Sequence, residues 1–230
     1  MEHCNPLALI PAYNEAQRIA PVIAATLKHL PALVVDDGSR DDTAALAEAA
    51  GATVLRQIPN QGKGAALRAG LRWALAHGHD SVLTLDADGQ HDPAEIPAFL
   101  ARQAVTHADL LIGCRDFSQM PLSRRAANTL GRWSFSWALG QRVEDNQSGY
   151  RLLSRRMAEA VLDSQEHGFE FEVEMIVTCV QRGYVLDGVP IRTIYGDQGS
   201  HIDPWTHMRN WVRIVRQTRR TVKAGRQVDK

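Results

Sequence analysis

The chain is short of cysteine and of net charge, and each shortage excludes something. Its three cysteines, Cys4, Cys114 and Cys179, lie far apart and lack metal-ligand spacing. A disulfide scaffold and a zinc knuckle are therefore excluded, and a reducing compartment is expected. Lysine plus arginine equals aspartate plus glutamate, 26 of each, so no basic field points to nucleic acid. No apolar run approaches the ~18 residues of a membrane span. Met1-Glu2-His3-Cys4-Asn5-Pro6 is too short and too polar for a signal peptide. The expected location is the cytoplasm, in solution or peripheral on the inner face of the membrane. Two glycine-rich phosphate devices are also missing. Gly62-Lys63-Gly64 opens a helix, but Gln57 and Gly64 stand where a P-loop needs Gly and Ser or Thr, and Leu67 fills the third small position of the dinucleotide fingerprint.

What is there is ordinary globular material: 230 residues, 44% hydrophobic, enough for one sizeable core. Short apolar runs alternate with helical periodicity through the first half. Strands are expected at Leu7–Ile10, Ala32–Val35, Thr53–Leu55, Ser81–Leu85 and Asp109–Gly113. Helices are expected at Ala16–Leu30, Asp41–Ala50 (capped by Asp41 or Asp42), Gly64–Ala76 and Pro93–Ala104. Apolar runs between helices imply strands buried on both faces of a mostly parallel α/β sheet. After about residue 115 the alternation is lost.

Three of these strands end in chemistry. Asp86-Ala87-Asp88-Gly89-Gln90 follows the fourth, Pro11-Ala12-Tyr13-Asn14-Glu15 the first, and Asp36-Asp37-Gly38-Ser39 the second. In a parallel sheet all three turns share one edge, where ligands bind in open α/β folds. Carboxylates with an amide oxygen suit a hard divalent ion shared with phosphates; a solvated turn capping the helix near Pro93 is the plain alternative. An EF-hand would need Gly at position 91 and Glu at position 97, where the chain has His91 and Pro97. A phosphatase-type Asp-x-Asp pair would be followed by Thr or Val where Gln90 stands.

Together with Asn60-Gln61-Gly62-Lys63-Gly64, Ile112-Gly113-Cys114-Arg115 and Asp145-Asn146-Gln147-Ser148-Gly149-Tyr150-Arg151, in this order, the turns resemble those of family 2 glycosyltransferases. The nearest likeness is to the dolichyl- or polyprenyl-phosphate mannose and glucose synthase branch, from about residue 5 to about residue 218. The resemblance implies a GT-A fold, a Rossmann-like sheet flanked by helices, and a UDP- or GDP-hexose donor bound with Mg2+ or Mn2+. It implies a nucleotide-sugar half over about 5–115 and an acceptor half over about 116–203. By the same resemblance Pro11, Tyr13 and Glu15 surround the nucleoside and Asp37 accepts from the base. Lys63 lies near the donor with Asp86, and Asp86, Asp88 and Gln90 hold the ion.

The acceptor decides the remaining chemistry. A sugar hydroxyl needs a general base. A lipid phosphate, with a second pKa near ~6, is already an anion at neutral pH and needs cations to hold it. Arg115, Arg124 and Arg125, with Ser148, are the candidates for that hold, and Asp145 is either the base or an orienting group. Transfer with inversion is implied by the resemblance, and processive synthesis is disfavoured because no Gln-x-x-Arg-Trp motif occurs. A hydroxyl acceptor in a cell-surface glycan or pigment pathway and a non-catalytic nucleotide-sugar-binding protein stand as alternatives. Residues 204–230 are expected to form a basic amphipathic helix and tail, with Trp205, Met208, Trp211, Val212 and Val215 opposite Arg209, Arg213, Arg216, Arg219 and Arg220. Leu122, Leu130, Trp133, Phe135 and Trp137 are either core or acceptor groove. Gly199-Ser200-His201 resembles a loop that closes over the donor phosphates.

Overall fold

The computed structural model of the chain describes residues 5–116, 122–164, 166, 168 and 170–192, together with 213, 215, 216, 218 and 219; between 122 and 128 it describes the backbone alone. The side chains of Arg124 and Arg125, the Gly199-Ser200-His201 loop and most of the expected helix over 205–221 lie outside the described residues. The first half runs β1 Pro6–Ala12, α1 Ile19–Thr26, β2 Ala32–Asp36, α2 Thr43–Ala49, β3 Thr53–Arg56, α3 Lys63–Ala76 and β4 Ser81–Thr84. A 3-10 turn at Pro93–Glu95 leads into α4 Ile96–Thr106, followed by β5 Leu110–Arg115 and α5 Leu122–Leu139. The remainder is β6 Arg151–Ser154, α6 Arg155–Ala160, α7 Glu170–Gln181 and β7 Leu186–Ile191.

The seven strands form one sheet in the order β3-β2-β1-β4-β6-β5-β7. β1 pairs in parallel with β2 on one side and β4 on the other, so the strand order reverses beside β1. Only β6 is antiparallel to its neighbours. Both faces are covered, as the apolar runs require. Leu7, Leu9, Leu33 and Val35 pack with α3, α6 and α7, while Ala8, Ile10, Ala12 and Val34 pack with α1 and α4 on the other face. Each fully buried Leu, Ile or Val contributes roughly 1.5–3 kcal/mol. Gly70 lets α3 lie against β1: a Cβ there would sit 2.2 Å from Leu9 Cδ1. β3 departs from the expected burial, with Thr53 and Arg56 exposed, because it is an edge strand.

The antiparallel insertion of β6 is what builds the site. Thr84 at the end of β4 pairs with Arg151 at the start of β6. The segment just before β6 therefore arrives at the same sheet edge as the acidic turn after β4. Thr84 Oγ1 donates to the Gly149 carbonyl at 2.8 Å and fastens the two together.

Candidate active site

The turns after β1 and β2 are clasped to each other by hydrogen bonds. Asn14, in the left-handed region at φ 56°, donates its N–H to Ser39 Oγ at 2.9 Å and accepts from Arg40 N–H through Oδ1 at 2.8 Å. Glu15 N–H donates to Thr43 Oγ1 at 2.8 Å, and Asp37 N–H to the Ala12 carbonyl at 2.9 Å. Asp37 in turn accepts from Gln61 N–H at 2.8 Å and Gly62 N–H at 2.7 Å. That contact carries the loop before α3 to the same edge and sets Lys63 at the first position of the helix. A carboxylate has about four lone-pair sites, so Asp37 retains acceptor capacity after these two bonds.

These turns enclose a cavity of about 340 Å3 lined by Pro11, Ala12, Tyr13, Glu15, Asp37, Asn60, Gly62, Lys63, Ala66, Asp86, Ala87 and Asp88. Pro11, Tyr13, Glu15, Asp37, Lys63, Asp86 and Asp88, all singled out by sequence, are thereby brought together. Its floor is ionic. Lys63 Nζ lies 2.6 Å from Asp86 Oδ1 and 3.1 Å from Glu172 Oε1. Burial alone would lower the Lys63 pKa, but Asp86 and Glu172 outweigh it and hold the ammonium charged well above its ordinary value. Burial likewise opposes ionisation of Asp86, and the Lys63 ammonium overrides it, so its pKa falls below the ordinary carboxylate value. His91 is buried with a lowered pKa, and its Nδ1 accepts from the Asp86 N–H at 3.0 Å, which puts the ring proton of the neutral tautomer on Nε2. Its ring stacks on Tyr150 at 5.0 Å. Glu15 is held by Arg18 at 2.6 Å, and burial raises its pKa despite that pairing.

The capping alternative for the acidic turn is not what the chain does. Asp92 caps the helical turn at Pro93, accepting from Ala94 N–H at 3.0 Å. Asp88 Oδ1 accepts from Gln90 N–H at 2.9 Å within its own turn, and Asp86 faces Lys63. Asp42 stands at the N-cap position of α2 without a side-chain cap bond, and the preceding Asp41 accepts from Thr43 N–H at 3.1 Å. Among the described residues no three His, Cys, Asp or Glu side chains close on one point as a ready-made metal cage. Two carboxylates on one cavity wall fit the other arrangement, in which a hard cation takes one or two protein oxygens and completes its shell with phosphates and water. Burial pushes Cys114 and Cys179 up to about 12, so neither is a thiolate at neutral pH.

Gln90, Arg115, Asp145 and Ser148 do not line this cavity. Asp145 is 1% exposed and takes Arg115 in a two-pronged pair, Nε to Oδ2 at 2.6 Å and Nη2 to Oδ1 at 2.9 Å. Ser148 is buried, and its hydroxyl accepts from Tyr150 N–H at 3.4 Å. Behind them lies Arg151, fully buried, whose guanidinium donates to the carbonyls of Ser148 at 2.8 Å, Asn146 at 3.3 Å and Glu172. Sequence reasoning missed Glu172, Arg151 as a loop anchor, and Gly149. A Cβ on Gly149 would come within 2.9 Å of Glu172 Oε1 and 3.0 Å of Asp86 Oδ2 and Lys63 Nζ. The invisible signal was long-range, since nothing local marks Glu172 among the acidic residues of α7. On α5, Phe135 is core, whereas Leu130, Trp133 and Trp137 form an exposed stripe at 64%, 68% and 54%. The guanidinium of Arg219 lies 3.5 Å over the Trp137 ring.

An open α/β sheet with a carboxylate-lined cavity where its strand order reverses has the architecture of a ligand-binding α/β protein, with the cavity at the topological switch point. Residues 8–161 match the family described as glycosyl transferase family 2, and the chain belongs to that family. It is 33% identical to an undecaprenyl-phosphate mannosyltransferase of Micrococcus luteus, covering 84% of this chain and 85% of the relative. It is 33% identical to a polyprenol monophosphomannose synthase of Mycolicibacterium smegmatis, covering 80% of this chain and 76% of that one. Among solved structures it superposes on glucosyl-3-phosphoglycerate synthase of Mycobacterium tuberculosis with a TM-score of 0.70 at 22% identity, over 97% of this chain and 80% of that chain. The same synthase has been crystallised with Mn2+ and UDP. The GT-A expectation for the fold is met. No helix among the described residues is long and apolar enough to cross a membrane.

Proposed function

We propose that this chain transfers one hexose from a UDP- or GDP-sugar to the phosphate of a polyprenyl-type lipid at a membrane surface, with inversion at the anomeric carbon. The observation that carries the reading is the single cavity lined by Pro11, Tyr13, Glu15, Asp37, Lys63, Asp86 and Asp88. In this reading Tyr13, Pro11 and Glu15 surround the nucleoside and Asp37 uses its remaining acceptor capacity on the base. Lys63 faces the diphosphate. Asp86 and Asp88, with Gln90 from the same turn, hold Mg2+ or Mn2+. Such an ion stabilises the charge left on the departing nucleoside diphosphate by several kcal/mol.

The acceptor side rests on two further observations. The named relatives with which the chain shares a third of its residues act, by their names, on undecaprenyl phosphate and polyprenol. Asp145 is committed to Arg115 rather than presented to solvent, which suits an orienting group more than a proton acceptor. An anionic lipid phosphate needs no base, and Arg115, Arg124, Arg125 and Ser148 are the groups we assign to holding it. The exposed Leu130, Trp133 and Trp137 stripe gives the enzyme an apolar, tryptophan-bearing face to lay on the bilayer interface.

Thermal-shift titration with UDP and GDP, each with and without Mn2+, tests the donor half. A ligand that binds only the native state at a hundred times its Kd adds about 2.7 kcal/mol, a rise of several degrees in Tm. We expect one nucleotide to stabilise the protein, and more so with Mn2+. If neither does, the donor reading is wrong.

A further inference from the structure

Glu172 reaches from α7 to Lys63, a residue of the cavity lining, from behind the cavity and is 5% exposed. A carboxylate buried that deeply needs a cation and hydrogen bonds, and Lys63 at 3.1 Å supplies the cation. Its main chain is fixed as well, because the Glu172 carbonyl accepts from Arg151 Nη1. Gly149 closes the space on another side, with no room for a Cβ between Glu172, Asp86 and Lys63. Glu172 is therefore a rigid anion beside the Lys63 ammonium, and it belongs to neither the acidic turn nor the nucleoside loops.

Lys63 and a divalent ion make competing demands on Asp86. The ammonium sits 2.6 Å from Asp86 Oδ1, within direct contact of the carboxylate assigned to the ion. Two cations at one carboxylate repel, so an ion binds the Asp86–Asp88 turn more tightly as Lys63 shifts its weight to another anion. Glu172 is a carboxylate already in contact with Lys63 and outside the acidic turn. We propose that Glu172 is a positioning residue: it holds Lys63 back from Asp86 when the cation and donor diphosphate load, and so sets the affinity for the cation. The inference rests on the donor reading of this cavity.

Direct Mn2+ binding, followed by the electron paramagnetic resonance of free Mn2+ at saturating UDP or GDP, reads this without reference to turnover. In Glu172→Gln the anchor is neutral, Asp86 keeps the stronger hold on Lys63, and the half-saturating Mn2+ concentration should rise about fivefold to tenfold. Glu172→Asp keeps the charge on a shorter stem and should lie between the two; it also serves if Glu172→Gln does not fold. The same Glu172→Gln change made in a Lys63→Met background should move the Mn2+ midpoint by less than about twofold, because the competing cation is gone. A merely structural role would shift the midpoint equally in both backgrounds, or lower Tm and leave the midpoint alone, and either result overturns the inference. If the wild-type protein binds no Mn2+ with either nucleotide, the donor reading falls and takes this with it. If the wild type binds and Glu172→Gln binds identically, only this inference falls.

Discussion

Replacing Asp145 with asparagine separates the two roles open to that residue. The substitution preserves shape, and Oδ1 can still accept from Gln147 N–H, now at 3.1 Å. What it loses is charge and one acceptor: an amide NH2 would face the Arg115 guanidinium where Oδ2 now accepts Nε at 2.6 Å. Asp145 is 1% exposed and Arg115 21%, so water cannot replace the lost partner fully. Breaking a buried pair outright costs 3–5 kcal/mol, and half of the geometry survives, so a loss of about 2–3 kcal/mol is expected. For a chain of this size that lowers Tm by about 4–12 °C. Because Arg115 is then less firmly aimed, kcat/KM for the acceptor should fall about tenfold to a hundredfold, while the acid limb of the kcat–pH profile keeps its position. A general base behaves oppositely: its removal erases the acid limb and costs on the order of 10²-fold or more in kcat, with little effect on Tm. Differential scanning fluorimetry and steady-state kinetics across pH decide it. An unchanged Tm with a lost acid limb would refute the orienting role.

Three other outcomes follow from the same contacts. Gly149→Ala should weaken Mn2+-dependent nucleotide binding about tenfold for a stability loss of roughly 1–3 kcal/mol, because the new methyl must displace Lys63, Asp86 or Glu172; calorimetric affinity equal to wild type would contradict the packing described. Asp109 accepts from Ser154 Oγ and Val185 N–H, each at 2.9 Å, and from Arg156. Burial pushes its pKa up, but these partners prevail and hold it below the ordinary value. A depressed folded pKa gives stability that is present above the unfolded value of about 3.9 and lost as pH falls through the folded one. Asp109→Asn should thus lower Tm at pH 7, by about 2 kcal/mol in stability, and the gap from wild type should close on acidification below about pH 4; a gap constant with pH would contradict this. Trp133→Ser should reduce sedimentation with polyprenyl-phosphate-containing anionic vesicles about tenfold while leaving soluble nucleotide binding alone. Undiminished vesicle binding would remove the α5 face from the membrane reading.

The cavity at the sheet edge was legible in the sequence because its information is local. Short apolar runs that stop just before Tyr13, Asp37 and Asp86 and alternate with helical stretches read as buried strands, and a parallel sheet puts all such ends on one edge. The same locality explains what went unseen. Asp92 rather than the acidic turn caps the helix at Pro93, since cap choice depends on backbone angles that composition does not specify. In the second half of the chain, β6 enters between β4 and β5 in the reverse direction, and no periodicity announces a strand's direction.

Sequence by itself determined the α/β class, the sheet edge at which the cavity opens, and most of the side chains that line it. Tertiary structure alone decided that Lys63 is shared between Asp86 and Glu172, that Gly149 must lack a side chain, and that Asp145 is spent on Arg115. The reason is physical: the first set follows from which residues water rejects, whereas the second depends on pairs distant in the chain that meet only when an antiparallel strand closes the sheet.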